Sequence, residues 1–166
     1  MRPTRSLIST LRLLGLALCG LVLSACSQEP EVLTSSVSGD VSAVVSAAVP
    51  GISIMGGELN ASGNQYEVTG TLPNGDEIEI DMAQANGAWT IIEIQRDVEW
   101  FTLPQLVRAT VAGVPGSFEP VRVIESTQAA DGSVVYELFQ TVEGGAPYGG
   151  PDMEVRWFEG SAEVLP

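Results

Sequence analysis

The stretch "GTLPNGDEIEIDM" (residues 70–82) indicates a tight reversal of the chain between two strands. At its centre, residues 73–76 read Pro-Asn-Gly-Asp, and turn residues of this kind between two alternating runs are a strong hairpin signal. After the turn, three apolar residues alternate with three acidic ones: Ile78, Ile80 and Met82 with Glu77, Glu79 and Asp81. Because successive side chains of a strand point to opposite faces, the alternation predicts a sheet with one buried and one solvated face.

Two stretches rich in valine and alanine, residues 41–49 and 103–114, have apolar side chains at helical spacing. We expect Asp40 to cap the first helix and Thr102 to cap the second, with Pro104 in the first turn of the second helix. The predicted buried stripes are Val41, Val44, Val45, Ala48 and Val49 in the first helix, and Leu103, Leu106, Val107, Val111 and Val114 in the second.

The same order of motifs occurs twice along the chain. The matching segments are 44–51 with 107–116, 65–72 with 135–142, 78–82 with 153–157, and 86–92 with 159–165. These matches predict a tandem duplication of a helix-plus-four-strand unit, with pseudo-repeats at about 37–98 and 99–166. Each half is marginal in size as an independent domain, so we expect the two halves to share one core. The predicted fold class is α+β: an antiparallel sheet with two helices on one face.

The N-terminus has the layout of a secretory signal peptide. Three arginines precede an apolar run at residues 13–23, which is too short for a membrane span. The sequence Leu-Ser-Ala-Cys that ends at Cys26 resembles the bacterial lipobox. This resemblance implies cleavage before Cys26 and attachment of lipid to its thiol. An ordinary signal peptide with a coincidental cysteine is the alternative.

These features divide the chain into three parts. We expect a lipoprotein signal peptide at residues 1–25, a flexible tether at 26–36 and a folded domain at 37–166. Two or three acyl chains would anchor the mature protein stably to a bilayer. The residue after Cys26 is Ser27 and not aspartate. We therefore expect the protein in the bacterial cell envelope, in the outer membrane facing the periplasm.

The chain is strongly acidic. It has 21 acidic and seven basic residues and a net charge of −14. Three of the seven basic residues precede Cys26, which leaves four arginines against 21 acidic residues, a net charge of −17 after cleavage. Nucleic acids and anionic lipid surfaces both need a basic face, so neither is an expected ligand. Simple solubility, a divalent cation or a basic partner are compatible with this charge.

The sequence has no histidine and no lysine. This excludes Ser-His-Asp and Cys-His catalysis, Schiff-base chemistry, the phosphate-loop lysine and the usual zinc sites. A carboxylate pair of the glycosidase type remains, but among 21 acidic residues such a pair has little significance. We assign no catalytic residue, no metal ligand and no cofactor.

One acidic group is a candidate binding strip. Glu77, Glu79 and Asp81 would lie about 7 Å apart on one face of a strand. They could form a weak site for a cation or a cationic ligand. The wet face of an amphipathic strand is the favoured interpretation, since hard-cation sites usually draw ligands from a curved loop.

The aromatic residues have two possible uses. Trp100 and Phe101 precede the second helix and could form a hydrophobic staple or an exposed anchor for a partner, and the motif favours the staple. Trp89 and Trp157 fall within predicted strands and are expected in the core. Tyr148 lies in a glycine-rich loop that is either a recognition loop or an inert excursion.

Three segments together resemble the PepSY-like group of bacterial envelope lipoproteins, which is described as similar to β-lactamase inhibitor proteins. They are "YEVTGTLPNGDEIEIDMAQANGAW" (66–89), "EIQRDVEWFTLPQLVRATVAG" (93–113) and "RVIESTQAADGSVVYELF" (122–139), and Leu103-Pro104 and Gly87-x-Trp89 are the firmest points. The resemblance spans roughly residues 41–165. It implies a tandem helix-plus-four-strand layout and inhibition or regulation of enzymes, or modulation of the envelope environment, without catalytic residues. The loop "EGGAPYGGPD" (143–152) departs from the compact turn of that group.

We therefore expect a non-catalytic, lipid-anchored envelope protein that binds or regulates another protein. The alternative is an acidic periplasmic lipoprotein that binds cations or small ligands. The expected partners are the membrane, through the lipid on Cys26, and an unidentified protein, but not a nucleic acid.

Overall fold

The computed structural model describes residues 37–141 and 150–166. The predicted signal peptide, the tether with Cys26, and Tyr148 lie outside the described residues. Within the two described ranges the chain forms two α-helices, one 3-10 turn and eight strands. They are α1 (Gly39–Ala48), β1 (Ser53–Leu59), β2 (Gln65–Thr71), β3 (Glu77–Ala85), β4 (Ala88–Val98), the 3-10 turn (Trp100–Thr102), α2 (Gln105–Ala112), β5 (Arg122–Gln128), β6 (Val134–Phe139), β7 (Met153–Phe158) and β8 (Ser161–Val164). No helix among the described residues is long and apolar enough to cross a bilayer.

The strands form one open antiparallel sheet in which every strand lies beside its neighbours in sequence, from β1 to β8. The pairing of β4 with β5, from Glu93 opposite Gln128 to Val98 opposite Val123, joins the first four strands to the last four. One helix precedes each group of four strands, and both helices pack on the same face of the sheet. The predicted fold class is confirmed. The duplication of the unit stays a prediction.

The turns form where turn residues predict them. At residues 73–76, the backbone N–H of Leu72 donates to the carbonyl of Asp76 at 2.8 Å. Asn86 and Gly87 have φ of 53° and 78° and make a two-residue loop between β3 and β4. Asn-Gly suits this loop because both residues adopt left-handed backbone conformations readily.

The predicted cap of α1 is wrong. The N-cap is Ser38, and Asp40 lies in the first turn. There a hydrogen bond with Ser38 and then one from the Val41 backbone hold the pKa of Asp40 below its usual value. A carboxylate in the first turn also interacts favourably with the helix dipole.

The predicted start of α2 is wrong as well. Pro104 is the N-cap and α2 begins at Gln105. Thr102 lies in the 3-10 turn, where its hydroxyl donates to the carbonyl of Glu99 at 2.7 Å. The residue before a proline is sterically disfavoured in the helical region. Leu103 is accordingly extended, with ψ of 151°, so the helix cannot begin before Pro104.

Two separate buried clusters lie between the helices and the sheet, so the prediction of one shared core is wrong. The first consists of Val41 and Val45 from α1 with Tyr66, Val68, Ile78, Ile80 and Met82. The second consists of Val107 and Val111 from α2 with Leu103, Val123, Tyr136, Leu138 and Val155. The predicted stripes supply these contacts, except that Ala48 and Leu106 are exposed and Val114 lies beyond the end of α2, outside the second cluster.

We predict that Ile80→Ala lowers the free energy of unfolding by about 2–5 kcal/mol, because Ile80 is fully buried and truncation leaves a cavity. Ile92→Ala is the matched control on the neighbouring strand. Since the Ile92 side chain is 40% exposed, its loss should change stability much less. Urea denaturation of both variants measures the difference, and equal losses would contradict this assignment of the core.

Candidate functional site

The face of the sheet opposite the helices is polar and acidic. Side chains that alternate with the buried ones point away from both helices. We call this surface the helix-free face. Its acidic residues include Glu58, Glu67, Glu77, Glu79, Asp81, Glu93, Glu137 and Glu154.

Four of these acidic residues lie in one line across four strands. Glu58 on β1 is opposite Glu67 on β2, Glu67 is opposite Asp81 on β3, and Asp81 is opposite Glu93 on β4. We call these four residues the acid row. Like charges directly opposite each other in a sheet are destabilising. The sheet therefore holds an arrangement that works against its own stability.

Glu93 is the most firmly held member of the acid row. Its carboxylate accepts hydrogen bonds from the Ser126 hydroxyl at 2.5 Å, the Gln128 amide at 2.7 Å and the Gln95 amide at 3.0 Å. Burial alone would raise the pKa of Glu93, but the hydrogen bonds from Ser126 and Gln128 outweigh it and lower the pKa. Glu93 is therefore a fixed negative charge near the middle of the face.

The pKa values of two acidic residues near Glu93, Glu79 and Asp81, are raised instead of lowered. Burial, followed by the charges of Glu67, Asp81 and Glu93, raises the pKa of Glu79 to about 7. Burial, followed by a hydrogen bond with Glu93 and its charge, raises the pKa of Asp81 to about 6. A hydrogen bond between two carboxyl groups needs one proton, and these directions place it on Asp81 when the pH is below about 6. There the proton compensates part of the repulsion in the row.

The arginines do not neutralise the acid row. Arg96 pairs with Glu125 at 2.6 Å, Arg122 with Asp97 at 2.8 Å, and Arg156 with Asp131 at 2.7 Å and Glu163 at 3.4 Å. Among the residues that the structure describes, no acid-row carboxylate lies within 4.0 Å of an arginine nitrogen. The row therefore has a negative charge that is open to a cationic ligand.

The helix-free face is shallowly concave in three places. The acid row lines a depression of about 360 Å³, whose wall includes Ile92. The Ile92 side chain is 40% exposed. A second depression of about 400 Å³ contains Glu79, Gln95 and Arg122. A third, of about 430 Å³, contains Glu137, Glu154 and Arg156.

One group of carboxylates has the spacing of a possible cation site. Glu67, Glu79 and Asp81 each offer an oxygen, and the three oxygens lie within 4.8 Å of one another. Carboxylate oxygens are the ligands that Ca²⁺ prefers in proteins. These residues could therefore hold a divalent cation.

The predicted acidic strip of Glu77, Glu79 and Asp81 lies on one face of β3, but only two of its residues belong to the carboxylate group. Glu79 and Asp81 join the carboxylate group, whereas Glu77 is exposed and outside it. Sequence reasoning missed Glu58, Glu67 and Glu93. The alternation of each strand assigns them to a solvated face, but only the register between strands brings them together.

The predicted aromatic staple is half right. Trp100 is partly buried and packs against the second cluster, while Phe101 is 69% exposed. Trp89 and Trp157 are partly buried, and each packs at the border of a cluster instead of inside it. Trp89 meets the ring of Tyr66 edge-on, with the centroids 5.7 Å apart.

We found no family model, no curated protein and no solved structure that matches the chain. The resemblance to the PepSY-like group therefore stays a prediction.

We predict that the fold becomes less stable as pH rises from about 4.5 to about 7. The folded-state pKa of Glu79, at about 7, lies above its ordinary value of 4.5. In this window the folded protein keeps a proton that the unfolded chain has released, so raising the pH favours unfolding. Glu79→Gln should therefore stabilise the protein at about pH 8, by roughly 1–2 kcal/mol once solvent screening is allowed for, and change little at about pH 4.5.

Thermal unfolding across this pH range measures the effect. Glu77→Gln, on the same strand and face but exposed, is the control and should not alter the pH profile. A Glu79→Gln profile parallel to that of the unmodified protein would contradict the prediction.

Proposed function

We propose that this chain is a non-catalytic, lipid-anchored protein of the bacterial envelope that binds or regulates another protein through the helix-free face. The observation that carries the proposal is the acid row, in which like charges lie opposite each other across four strands without an arginine partner. Protein sequences usually avoid like charges at opposite positions of neighbouring strands. Exceptions to such local preferences are found mainly at functional sites.

The shape of the face supports a protein partner. The face extends across the sheet and has three separate depressions that are open to solvent. Small-molecule sites are typically concave enough to bury most of the ligand. A broad, mixed polar surface of this kind is better suited to another protein surface.

The composition supports a non-catalytic role. Without histidine and lysine, the chain lacks the groups that most often act as general base or amine nucleophile near neutral pH. The carboxylates of the helix-free face instead provide charge for recognition.

Anchoring through Cys26 is part of the proposal and rests on the lipobox-like sequence. A tether over residues 26–36 would keep the folded domain close to the membrane while leaving it free to turn. The outer membrane, on the periplasmic side, is the proposed location.

Site-directed photo-crosslinking in intact cells tests the proposed function. A photo-reactive residue at Thr69, which is exposed between Glu67 and Glu79 on the helix-free face, should give one recurrent protein adduct. The same residue at Ala47, exposed on α1, is the matched control and should give no such adduct. Equal adducts from both positions, or none from Thr69, would contradict a binding surface on the helix-free face.

A Cys26→Ser chain separates anchoring from binding. It should leave the membrane fraction. If it stays in the membrane fraction as firmly as the unmodified chain, the lipid anchor is wrong, whatever the crosslinks show.

The second candidate function is binding of a divalent cation, which the grouping of Glu67, Glu79 and Asp81 within 4.8 Å favours. Calorimetry with Ca²⁺ should then show saturable heat at a defined stoichiometry, and Glu67→Gln should abolish it. Glu119→Gln removes the same charge from an exposed loop and is the control. Unsaturable heat that is similar in both variants would exclude a defined site.

A further inference from the structure

Three turns of the sheet contain an asparagine or aspartate followed by glycine: Asn74-Gly75, Asn86-Gly87 and Asp131-Gly132. In each pair the glycine has a left-handed backbone, with φ of 93°, 78° and 73°. Glycine has no side chain to shield its backbone nitrogen from the side-chain carbonyl carbon of the residue before it. These are therefore the positions at which the backbone can react with a neighbouring side chain, and the structure separates one of them from the other two.

At Asn74-Gly75 both reacting groups are held by hydrogen bonds. The Asn74 side chain donates to a carboxylate oxygen of Asp76 at 2.7 Å and accepts from the Asp76 backbone N–H at 3.1 Å. The Gly75 N–H donates to the carbonyl of Leu72 at 2.9 Å. The Gly75 nitrogen and the Asn74 side chain cannot react with each other unless the turn first gives up these bonds.

Asp131-Gly132 is held in the same way. Asp131 accepts hydrogen bonds from the Ser133 backbone N–H at 2.8 Å and from the Arg156 guanidinium at 2.7 Å. The Gly132 N–H donates to the carbonyl of Gln128 at 2.9 Å. Hydrogen bonds, first with Ser133, lower the pKa of Asp131 to about 2. The group is therefore an ionised carboxylate, which resists attack by a nucleophile.

Asn86-Gly87 has none of these restraints. The pair forms the two-residue loop between β3 and β4, and both residues are exposed. Within the part of the chain that the structure describes, no residue makes a hydrogen bond with the Asn86 side chain or with the Gly87 N–H. A Cβ placed on Gly87 would meet no atom within 4 Å, so water reaches the loop freely.

We propose that Asn86 is a site of self-modification, at which the chain converts this asparagine to aspartate and isoaspartate. The Gly87 nitrogen attacks the side-chain carbonyl carbon Cγ of Asn86. A bond forms between the Gly87 nitrogen and Cγ, the Cγ–Nδ2 bond breaks, and Nδ2 leaves as ammonia with the proton that the Gly87 nitrogen loses. Water then opens the five-membered ring at either of its two carbonyl carbons, without oxidation or reduction. This inference does not depend on the proposed function.

The two products differ in their effect on the sheet. Aspartate keeps the loop and adds a negative charge at its tip. Isoaspartate directs the main chain through the side chain, which adds a methylene to a two-residue loop whose geometry fixes the strand pairing. Next to the loop, Gln84 lies opposite Trp89, and Trp89 meets the ring of Tyr66 edge-on. We therefore expect isoaspartate to loosen the border of the first cluster.

Ageing of the full chain in detergent micelles tests the proposal. The folded chain is incubated in mildly alkaline buffer and digested after glutamate, which separates Asn74 from Asn86 because Glu77 and Glu79 lie between them. Mass spectrometry should show conversion of Asn86 at least about tenfold faster than that of Asn74, whose hydrogen bonds must break first. The product should contain isoaspartate, which forms only through the ring, since direct hydrolysis of the amide gives aspartate alone.

Two controls separate the effect of the fold from that of the sequence. In the chain unfolded with guanidinium chloride, both asparagines precede a glycine without these hydrogen bonds and should convert at similar rates. Asp76→Ala removes the carboxylate that holds the Asn74 side chain, so it should speed conversion of Asn74 in the folded chain. Conversion of Asn86 in the same variant is the internal reference and should be unchanged.

Three results would overturn the proposal. Asn86 that converts in the unfolded chain but persists in the folded one would show that the loop protects it. Equal rates at Asn74 and Asn86 in the folded chain would show that the hydrogen bonds do not decide the reactivity. A product that contains aspartate without isoaspartate would exclude the attack by the Gly87 nitrogen.

Discussion

The register between neighbouring strands is the constraint on which the rest of the structure depends. Every strand of the sheet pairs with its neighbour in sequence, and the hairpins of β1 to β4 fix which side chains lie opposite each other in the acid row. The alignment that puts Val68 beside Ile80 under α1 also puts Glu67 beside Asp81 on the other face. The apolar core and the acid row are thus two consequences of one alignment. A slip of one residue would exchange them, which is why the buried face protects the arrangement of the charged one.

The two clusters under the helices do not merge into one apolar layer. Where β4 meets β5, Arg96 and Glu125 form an ion pair on the helix side, and Tyr136 lies beside them. Burial, followed by the negative charge of Glu125, raises the pKa of Tyr136 to about 12, so its hydroxyl remains a hydrogen-bond donor. Each helix therefore packs mainly on its own half of the sheet. This separation allows the helix-free face of one half to differ in charge from that of the other without disturbing the opposite core.

The order of elements and the two faces of each strand could be predicted from the sequence, because turn residues and alternation are local signals. The acid row could not be predicted, since it joins Glu58 to Glu93 across three strand pairings. A β-bulge makes the register between β3 and β4 harder still to predict. Counting back from the Asn86-Gly87 loop would place Asp81 opposite Ile92, but the register shifts after Met82, and Asp81 lies opposite Glu93. The adjacent isoleucines Ile91 and Ile92 interrupt the alternation and are the one local sign of this bulge.

The bulge also determines the position of Glu93, and this position helps to explain the acidic composition of the chain. Solubility requires a net charge away from zero, but it does not require carboxylates to be held opposite one another. Glu93 is held in this way. The bulge places it opposite Asp81, and from β5 the buried Ser126 and the half-buried Gln128 donate hydrogen bonds that fix its orientation. A charge that the fold brings next to a like charge and then immobilises has the preorganisation that recognition requires. The position of Glu93, more than the net charge of the chain, is therefore the argument for a binding face.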